Sequence, residues 1–290
     1  MPIPHLFLAL GVMALWGTNF VTMRWVLDEL APLTFASLRF FLVSLPLLLF
    51  IAKPSIPLKM LIGYGLTAFS MQFGFIFLAV WLGMPVGLAS LVVQSQVFFT
   101  LLLALFVHQV RPTTGQVLGV SIGAAGIAWV GFDLGQSMPL LAFTATLFAA
   151  LGWSIGNTLI KSMGPVSAFP LVIWASLVSA LSLAPLSFLL EGIDPWLRAA
   201  DLVIQGDAVF IGSLLFNAIG ASILGYGGWA WLLRRHPAPI VAPFTLLVPV
   251  FGMGSAALLL NEAIRPTAWP GIVLVFLGLG LTQIRRMRRS

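Results

Sequence analysis

Long apolar segments joined by short polar loops make up nearly the whole chain. About ten of them approach the roughly 20 residues that an α-helix needs to cross the hydrocarbon core of a bilayer. We place these segments near residues 5–27, 33–52, 60–81, 86–107, 114–132, 139–161, 168–190, 207–232, 239–260 and 268–285. The pattern predicts an all-α integral membrane protein with about ten transmembrane helices.

The segment 191–205 is the longest connection between two predicted spans. Two structures stay open for it. It forms either a small interfacial helix that holds Trp196 at the lipid headgroups or an irregular loop.

The polar positions inside the apolar segments follow a pattern that occurs twice. Trp16 and Asn19 lie in the middle of the first span, and Trp153 and Asn157 lie in the sixth. Trp153 stands 137 residues after Trp16, and Asn157 falls one place past the position equivalent to Asn19. A second echo, 154 residues apart, relates the fourth and ninth spans and the loops after them. The chain therefore reads as one five-helix unit written twice, over residues 1–137 and 138–290.

Composition agrees with a membrane protein and narrows its chemistry. Hydrophobic residues make up 60% of the chain and charged residues 8%, whereas soluble domains have about 25% charged residues. The net charge of +6 comes from short loops and the C-terminus, so we expect contact with anionic lipid and no nucleic-acid partner. The absence of Cys excludes disulfides, thiol catalysis and cysteine metal sites, and we expect neither a metal nor a cofactor. The first apolar run has no signal-peptide features, so we expect it to be a retained span.

The distribution of charge along the loops predicts an orientation. Alternate loops and the tail contain most of the basic residues, namely Lys53, Lys59, Arg111, Lys161, Arg234, Arg235, Arg285, Arg286, Arg288 and Arg289. Basic short loops stay in the cytoplasm, so both termini are predicted to be cytoplasmic. Because five spans is an odd number, the two halves must insert with opposite orientations. An inverted-topology repeat of this kind places a transporter's substrate site near the midplane, where the repeats meet.

Several motifs carry a family resemblance. They are Trp16-Gly17-Thr18-Asn19-Phe20, Pro32 with Leu38-Arg39-Phe40, Val248-Pro249-Val250-Phe251, Leu260-Asn261-Glu262, and Gly271 with Gly278. With these motifs in this order, the chain resembles ten-helix transporters of the EamA type in the drug/metabolite transporter superfamily. The first half departs from that pattern, since Ser95 stands where a proline like Pro249 is common and His108 where an acid like Glu262 is common. The resemblance implies a bacterial inner-membrane exporter of small metabolites, with amino acids as the expected substrates. We expect it to function as a monomer.

Polar side chains in the middle of a span need a partner, because an unpaired polar group in hydrocarbon is costly. This criterion and the helical faces give our candidates for substrate binding: Trp16, Asn19, Phe20, Gln72, Gln94, Phe98, Trp153, Asn157, Asn217 and Thr245. The alternative is that the Asn and Gln residues form interhelical hydrogen bonds worth about 1 kcal/mol each. Gln94 and Gln96 point to nearly opposite sides of an α-helix, so we expect only Gln94 to line a cavity.

Three other features of the spans have structural interpretations. We expect Arg39 to extend toward the outer surface, with anchoring of a substrate carboxylate as the alternative. Tyr64, like three tryptophans near span ends, is predicted to lie at the membrane interface. Small residues on the fifth and tenth spans predict close packing between the halves; they are Gly119, Gly123, Gly126, Gly271, Gly278 and Gly280.

The ninth span contains three prolines, Pro239, Pro243 and Pro249. A proline removes one backbone hydrogen bond and clashes with the preceding turn, so Pro249 should free a carbonyl near Thr245. We predict a bent helix that faces the cavity, with Pro249 as a hinge. The alternative is that the bend only shapes packing.

The absence of acidic residues inside the predicted spans bears on mechanism. Proton-coupled antiport usually relies on an intramembrane Asp or Glu, so we predict alternating access that is not strictly proton-coupled. The polar set suits a zwitterion or a neutral solute, whereas phosphate recognition would require several convergent Arg or Lys side chains. A proton-coupled drug or cation antiporter is the main alternative, followed by a passive channel. An intramembrane enzyme is the least favoured, because the sequence has no His-Glu-x-x-His or Gly-x-Ser-x-Gly motif.

Overall fold

A computed structural model describes residues 1–134 and 139–284 of the protein, so the four arginines of the predicted cytoplasmic tail lie outside the described residues. Each of the ten predicted apolar segments contains a helix. Within the described residues, nine helices are long and apolar enough to cross a bilayer, and the apolar helix Pro32–Leu48 is shorter. The predicted all-α architecture of about ten membrane-length helices is confirmed.

The helices are numbered here in chain order. They are α1 (Ile3–Leu27), α2 (Pro32–Leu48), α3 (Leu58–Trp81), α4 (Val86–His108), α5 (Thr114–Leu134), α6 (Leu140–Met163), α7 (Ala168–Leu190), α8 (Asp194–Ile204), α9 (Ala208–Arg235), α10 (Ala242–Leu259) and α11 (Trp269–Ile284). A single α-helical turn precedes α10, and a 3₁₀ turn precedes α11. Pro32 opens α2, where its missing N–H costs nothing and its fixed φ favours the helix.

The connection 191–205 contains a helix at Asp194–Ile204, as the first of its two predicted structures requires, and the placement of Trp196 at the lipid headgroups stays a prediction. Helix α8 contains Trp196, whose indole N–H donates to the Ser187 hydroxyl over 3.0 Å. The same indole stacks on Phe188 with a centroid distance of 4.8 Å. These contacts hold α8 against the end of α7.

Charged residues divide the bundle into two ends. We call the end that carries Asp28, Glu29, Asp133, Glu191 and Glu262 the acidic face. The opposite end, with Lys53, Lys59, Arg111, Lys161 and Arg235, is the basic face. Helix α1 runs from the basic face to the acidic face.

Four helices contain a stretch that is not α-helical, and in three of them it lies inside the helix. A π-helical stretch interrupts α3 at Gly65–Met71 and α9 at Phe216–Gly225. A 3₁₀ stretch interrupts α4 at Val93–Ser95 and forms the beginning of α10 at Ala242–Leu247. Such interruptions are frequent at functional sites, and here all four helices border the central cavity described below.

Glycines allow α5 and α11 to pack closely, as the sequence predicts. A Cβ atom on Gly119 would lie 2.7 Å from the carbonyl oxygen of Gly278, and one on Gly126 would lie 2.7 Å from that of Gly271. Gly280 does not contribute, because a Cβ atom there would meet open space. The two helices, one from each half of the sequence, therefore pack backbone against backbone.

The interfacial prediction for Tyr64 is wrong. This side chain is 4% exposed and its ring lies 5.6 Å from that of Phe69. Position near the end of an apolar run suggested the interface, but α6 and α7 cover this part of α3. Trp81, Trp129 and Trp269, assigned to the interface for the same reason, are each about half exposed.

A central cavity as the candidate substrate site

A cavity of about 350 Å³ lies among the helices of both halves. This volume falls in the range of small-molecule sites, roughly 300–1,000 Å³. Eight of the ten residues predicted to bind substrate line it: Trp16, Asn19, Phe20, Gln72, Gln94, Trp153, Asn157 and Thr245. The structure thus brings together residues from α1, α3, α4, α6 and α10. Their contact with a substrate stays a prediction.

Phe98 and Asn217 do not line this cavity. The Phe98 ring instead packs against Gly123 of α5. Asn217 is fully buried, and its amide donates to the Thr22 hydroxyl over 3.0 Å and to the Ser213 carbonyl over 2.9 Å. These contacts are interhelical and local hydrogen bonds, the alternative that the sequence left open for the amide side chains.

Aromatic rings from both halves form one wall of the cavity. Trp16 donates its indole N–H to the carbonyl of Ala221 over 3.0 Å and lies 5.4 Å from the Tyr226 ring. The Trp153 ring also stacks on the Tyr226 ring, with a centroid distance of 6.1 Å. Trp229 lines the cavity as well. Tyr226 is not among the candidates predicted from the sequence. It could have been included, because it is one of two tyrosines in the chain and lies in the eighth predicted span.

Gln94 and Gln96 both line the cavity, so the expectation that only one would do so is wrong. The Gln96 amide donates to the Gln94 side-chain oxygen over 3.1 Å. The cause is the 3₁₀ turn at Val93–Ser95, which winds more tightly than an α-helix and rotates the second glutamine toward the first. In turn, the Gln94 amide donates to the Thr245 carbonyl over 3.1 Å, which links α4 to α10.

Arg39 does not extend toward the surface, as the sequence had favoured. Its side chain is 1% exposed and lines the cavity. Nε and Nη2 donate to the Ser222 hydroxyl over 3.3 and 3.0 Å, and the guanidinium lies 4.2 Å from the centroid of the Phe73 ring. The position of Arg39 in the helix alone suggested contact with solvent. Instead, Arg39 contacts a serine in the π-helical stretch of α9 and aromatic rings of α2 and α3.

Several buried polar atoms of cavity-lining side chains have no hydrogen-bond partner among the described residues. They include one donor, Nη1 of Arg39, and three amide oxygens, those of Asn19, Gln72 and Gln96. An unpaired buried polar group costs about 1–3 kcal/mol, more if it is charged. The cavity wall is therefore equipped to hydrogen-bond a polar ligand.

The lining of the cavity extends toward the basic face. It reaches Gln116 in the first turn of α5 and Gln283 in the last turn of α11. Toward the acidic face, α1, α4 and α10 meet in what we call the septum, formed by Gly17, Ser90, Phe251 and Gly252. A Cβ atom on Gly17 would collide with Phe251, and one on Gly252 with Ser90. Only glycine permits this closeness of the three helices.

A second cavity of about 390 Å³ lies beyond the septum, at the acidic face. Its charged lining residues are Arg24, Asp28, Asp133, Glu262 and Arg265. The structure thus has a central cavity and a vestibule at the acidic face, separated by helix packing at the septum.

The stretch before Pro249 is broken, as the prolines predict. Helix α10 begins in a 3₁₀ stretch, and Pro249 lies in the first turn of the α-helical part that follows. The Thr245 carbonyl, four residues before this proline, accepts the side chain of Gln94. The predicted free carbonyl therefore has a partner at the cavity wall, and the role of Pro249 as a hinge stays a prediction.

Comparison with known proteins agrees with this architecture. The chain is 42% identical to a "Probable amino-acid metabolite efflux pump" of Salmonella typhimurium, over 98% of this chain and 96% of the relative. It is 41% identical to a protein of the same description from Escherichia coli, over 94% and 92% of the two chains. A protein of known crystal structure, 17% identical, shares the fold with a TM-score of 0.61 over 97% of this chain and 98% of its own. The model of the EamA-like transporter family matches residues 3–132 and again residues 136–283. The chain belongs to the EamA-like transporter family.

Proposed function

We propose that this transporter exports amino acids or closely similar zwitterionic metabolites, which it binds in the central cavity and carries by alternating access. Its family makes it a multi-pass membrane transporter of metabolites and not an enzyme. The observation that carries the amino-acid assignment is the cavity wall, which combines aromatic rings, amides and a single buried guanidinium. The Salmonella and Escherichia coli relatives, named for amino-acid metabolite efflux, support the same substrate class.

Alternating access is supported by the two cavities on opposite sides of the septum. A carrier needs one closure at a time on each side of its site, and the described state has its closure toward the acidic face. The inverted repeat, which would generate the opposite state, is supported by the two matches to the family model. Paired interruptions support it too, since the π-helical stretches fall in the third and eighth spans and the 3₁₀ stretches in the fourth and ninth.

We propose that transport is not strictly coupled to protons. Among the described residues that line the central cavity, Arg39 is the only one with a formal charge. A carboxylate that could exchange a proton for a substrate is therefore not part of this wall. The same arginine disfavours the alternative of a drug or cation antiporter, because a cationic substrate would be repelled within the low-dielectric site.

The proposed location is the bacterial inner membrane, with the basic face and both termini in the cytoplasm. The Lys/Arg distribution supports this orientation. In it, the described state opens toward the cytoplasm, from which an exporter loads its substrate. A reporter fused after the last residue should be active only in a form that works in the cytoplasm, and periplasmic activity would refute the orientation.

Counterflow in proteoliposomes tests the function. Vesicles loaded with one unlabelled neutral L-amino acid should accumulate the same labelled amino acid without an imposed proton gradient. Saturation and stimulation by internal substrate would distinguish a carrier from a channel. Uptake that depends strictly on a proton gradient would refute the proposed energetics, and a failure of all amino acids to exchange would refute the substrate class. The monomeric state is tested by the mass of the active protein in detergent.

A further inference from the structure

We propose that Arg39 binds the carboxylate of the transported zwitterion, while unpaired amide oxygens elsewhere in the cavity lining receive its ammonium group. This inference rests on the proposed function and deepens it, because it assigns the two charged groups of the substrate to different side chains.

The guanidinium of Arg39 is buried without an anionic partner. It is 1% exposed, and within the described residues the ion pairs join Arg24 to Asp28 and Arg198 to Glu29. Its neighbours are neutral: Ser222 accepts two of its hydrogen bonds, and Phe73 lies under it. A buried charge that lacks a counter-ion is costly, so a site that retains one is suited to an anion.

The geometry leaves part of the guanidinium available. Ser222 accepts from Nε and Nη2, while the buried Nη1 has no partner in residues 1–134 and 139–284. The Ser222 hydroxyl donates its own hydrogen to the Asn217 carbonyl, so its lone pairs are the part that faces the arginine. This contact and the Phe73 ring hold the guanidinium in place, and Nη1 remains free to donate to a carboxylate oxygen. Arginine is well matched to this acceptor, and such charge-assisted hydrogen bonds are about twice as strong as neutral ones.

The ammonium group of the substrate requires hydrogen-bond acceptors, and the cavity lining supplies them. The side-chain oxygens of Asn19, Gln72 and Gln96 are buried and have no hydrogen-bond partner in the part of the chain that the structure describes. Gln96 lies on α4 against α6, where the Ser154 hydroxyl donates to its backbone carbonyl over 2.8 Å. An ammonium group has three donors, and the nearby indole faces add cation–π attraction. The acceptors on α1, α3 and α4 therefore suit the ammonium end of the same ligand that Arg39 binds through its carboxylate.

Substrate analogues test the inference on the unmodified protein. L-leucine and L-phenylalanine are the probes for counterflow. L-leucinamide lacks the carboxylate and N-acetyl-L-leucine lacks the ammonium group. We expect each analogue to exchange at least about tenfold less well than leucine, because each loses one hydrogen bond to a charged group. Leucinamide that exchanges as well as leucine would overturn the inference while leaving the proposed function standing. Failure of both amino acids to exchange in the parent protein would refute both together.

Variants of Arg39 locate the effect. Arg39→Gln should reduce leucine exchange by about 10- to 100-fold and abolish the preference for leucine over leucinamide. Arg39→Lys should keep the preference at lower affinity, because it keeps the charge without the planar fork. Arg198→Gln, which removes an exposed ion pair at the acidic face and lines neither cavity, is the matched control and should retain parental exchange.

Thermal unfolding separates binding from a structural role. If Arg39 serves the substrate, Arg39→Gln should unfold at the parental temperature or above it, because an uncompensated buried charge has been removed. Leucine should raise the melting temperature of the parent and of Arg198→Gln but not of Arg39→Gln. Two results together would overturn the proposal. One is a large fall in the melting temperature of Arg39→Gln. The other is that exchange in Arg39→Lys falls only in proportion to the loss of folded protein.

Discussion

The Glu262 carboxylate closes the amino-terminal end of α4, because its Oε1 atom accepts the backbone N–H of Val86 over 2.8 Å. Its Oε2 atom accepts the next N–H, that of Gly87, over 2.9 Å. Glu191 does the same for α2, where two amides donate to it over 2.7 and 2.8 Å. The first N–H groups of a helix have no partner within the helix, and the helix dipole favours an anion there. Two carboxylates therefore link helices of opposite halves across the acidic face.

We predict that Glu262→Ala weakens closure at the acidic face. Loss of two amide caps and of the charge–dipole attraction should destabilise the closed state by about 1–2 kcal/mol. The chain has no cysteine, so one introduced at Val97 in the central cavity reports access directly. Alkylation by a membrane-impermeant maleimide from the acidic face should rise about tenfold. Glu29→Ala, at an exposed ion pair on the same face, is the control, and equal alkylation in both variants would contradict the prediction.

We predict a similar but steric effect at the septum. A methyl group at Gly252 would collide with Ser90, so Gly252→Ala should force α4 and α10 apart and slow substrate exchange. Gly254→Ala is the matched control, because a Cβ atom there meets open space on the same helix. Counterflow and alkylation at position 97 measure the two consequences. Parental counterflow in Gly252→Ala would show that the septum tolerates a wider spacing than the structure suggests.

The helices and eight of the cavity-lining residues could be predicted because membrane burial makes polar residues informative. Trp16, Gln72 and Asn157 stand out in apolar spans, and lipid gives such groups few alternatives to a protein partner or a cavity. The small-residue face of α5 and α11 was readable for a related reason, since only small residues let two helices approach so closely.

The remaining features depend on local departures from the α-helix. A 3₁₀ turn places Gln96 beside Gln94, and a π-helical stretch presents Ser222 to Arg39. Helical periodicity, which assumes 3.6 residues per turn throughout, cannot anticipate either contact. Asn217 illustrates the converse limit, because a polar residue at mid-span depth satisfies the same criterion whether it lines a cavity or bonds to a neighbouring helix.

We predict opposite phenotypes for Trp153→Ala and Asn217→Ala. Trp153 forms part of the cavity wall, so its removal should raise the apparent KM about tenfold or more while the protein stays folded. Asn217 instead bonds to Thr22 and Ser213, so its loss should lower stability by about 1–3 kcal/mol with KM changed less than about twofold. Counterflow titrations and thermal unfolding in detergent measure both quantities. A change of KM in Asn217→Ala at unchanged stability would restore it to the substrate site.

A histidine pair at the basic face predicts a pH dependence of stability. His5 Nδ1 lies 2.7 Å from His236 Nε2, so one ring must accept a hydrogen bond in its neutral form. Partial burial, and then the charges of His5, the N-terminus and Arg235, lower the pKa of His236 from its ordinary value near 6.5. A lowered histidine pKa means that the folded state resists protonation more than the unfolded chain does. The contribution of neutral His236 to the stability of the folded state is therefore present above about pH 6.5 and is lost as the pH falls toward the lowered pKa.

The measurement is the melting temperature in detergent at pH 7.5 and pH 5. The parent should lose stability on acidification, and His236→Gln should lose less of it because the titrating group is gone. An equal acid-induced fall in His236→Gln and the parent would exclude the histidine pair as a source of the pH dependence.

The last prediction concerns Pro249, which we expect to act as a hinge in exchange. It opens the α-helical part of α10 directly after the 3₁₀ stretch, and the carbonyl four residues earlier, at Thr245, is held by Gln94. Pro249→Ala supplies an N–H that competes with Gln94 for this carbonyl and favours a continuous α-helix. Exchange should slow several-fold while equilibrium binding of leucine, read from its thermal stabilisation, stays within about twofold of the parent. Pro185→Ala, a proline inside α7, is the control for a proline in a helix that does not line the cavity. Counterflow at the parental rate in Pro249→Ala, with unchanged affinity, would mean that the break in α10 shapes packing and does not move during transport.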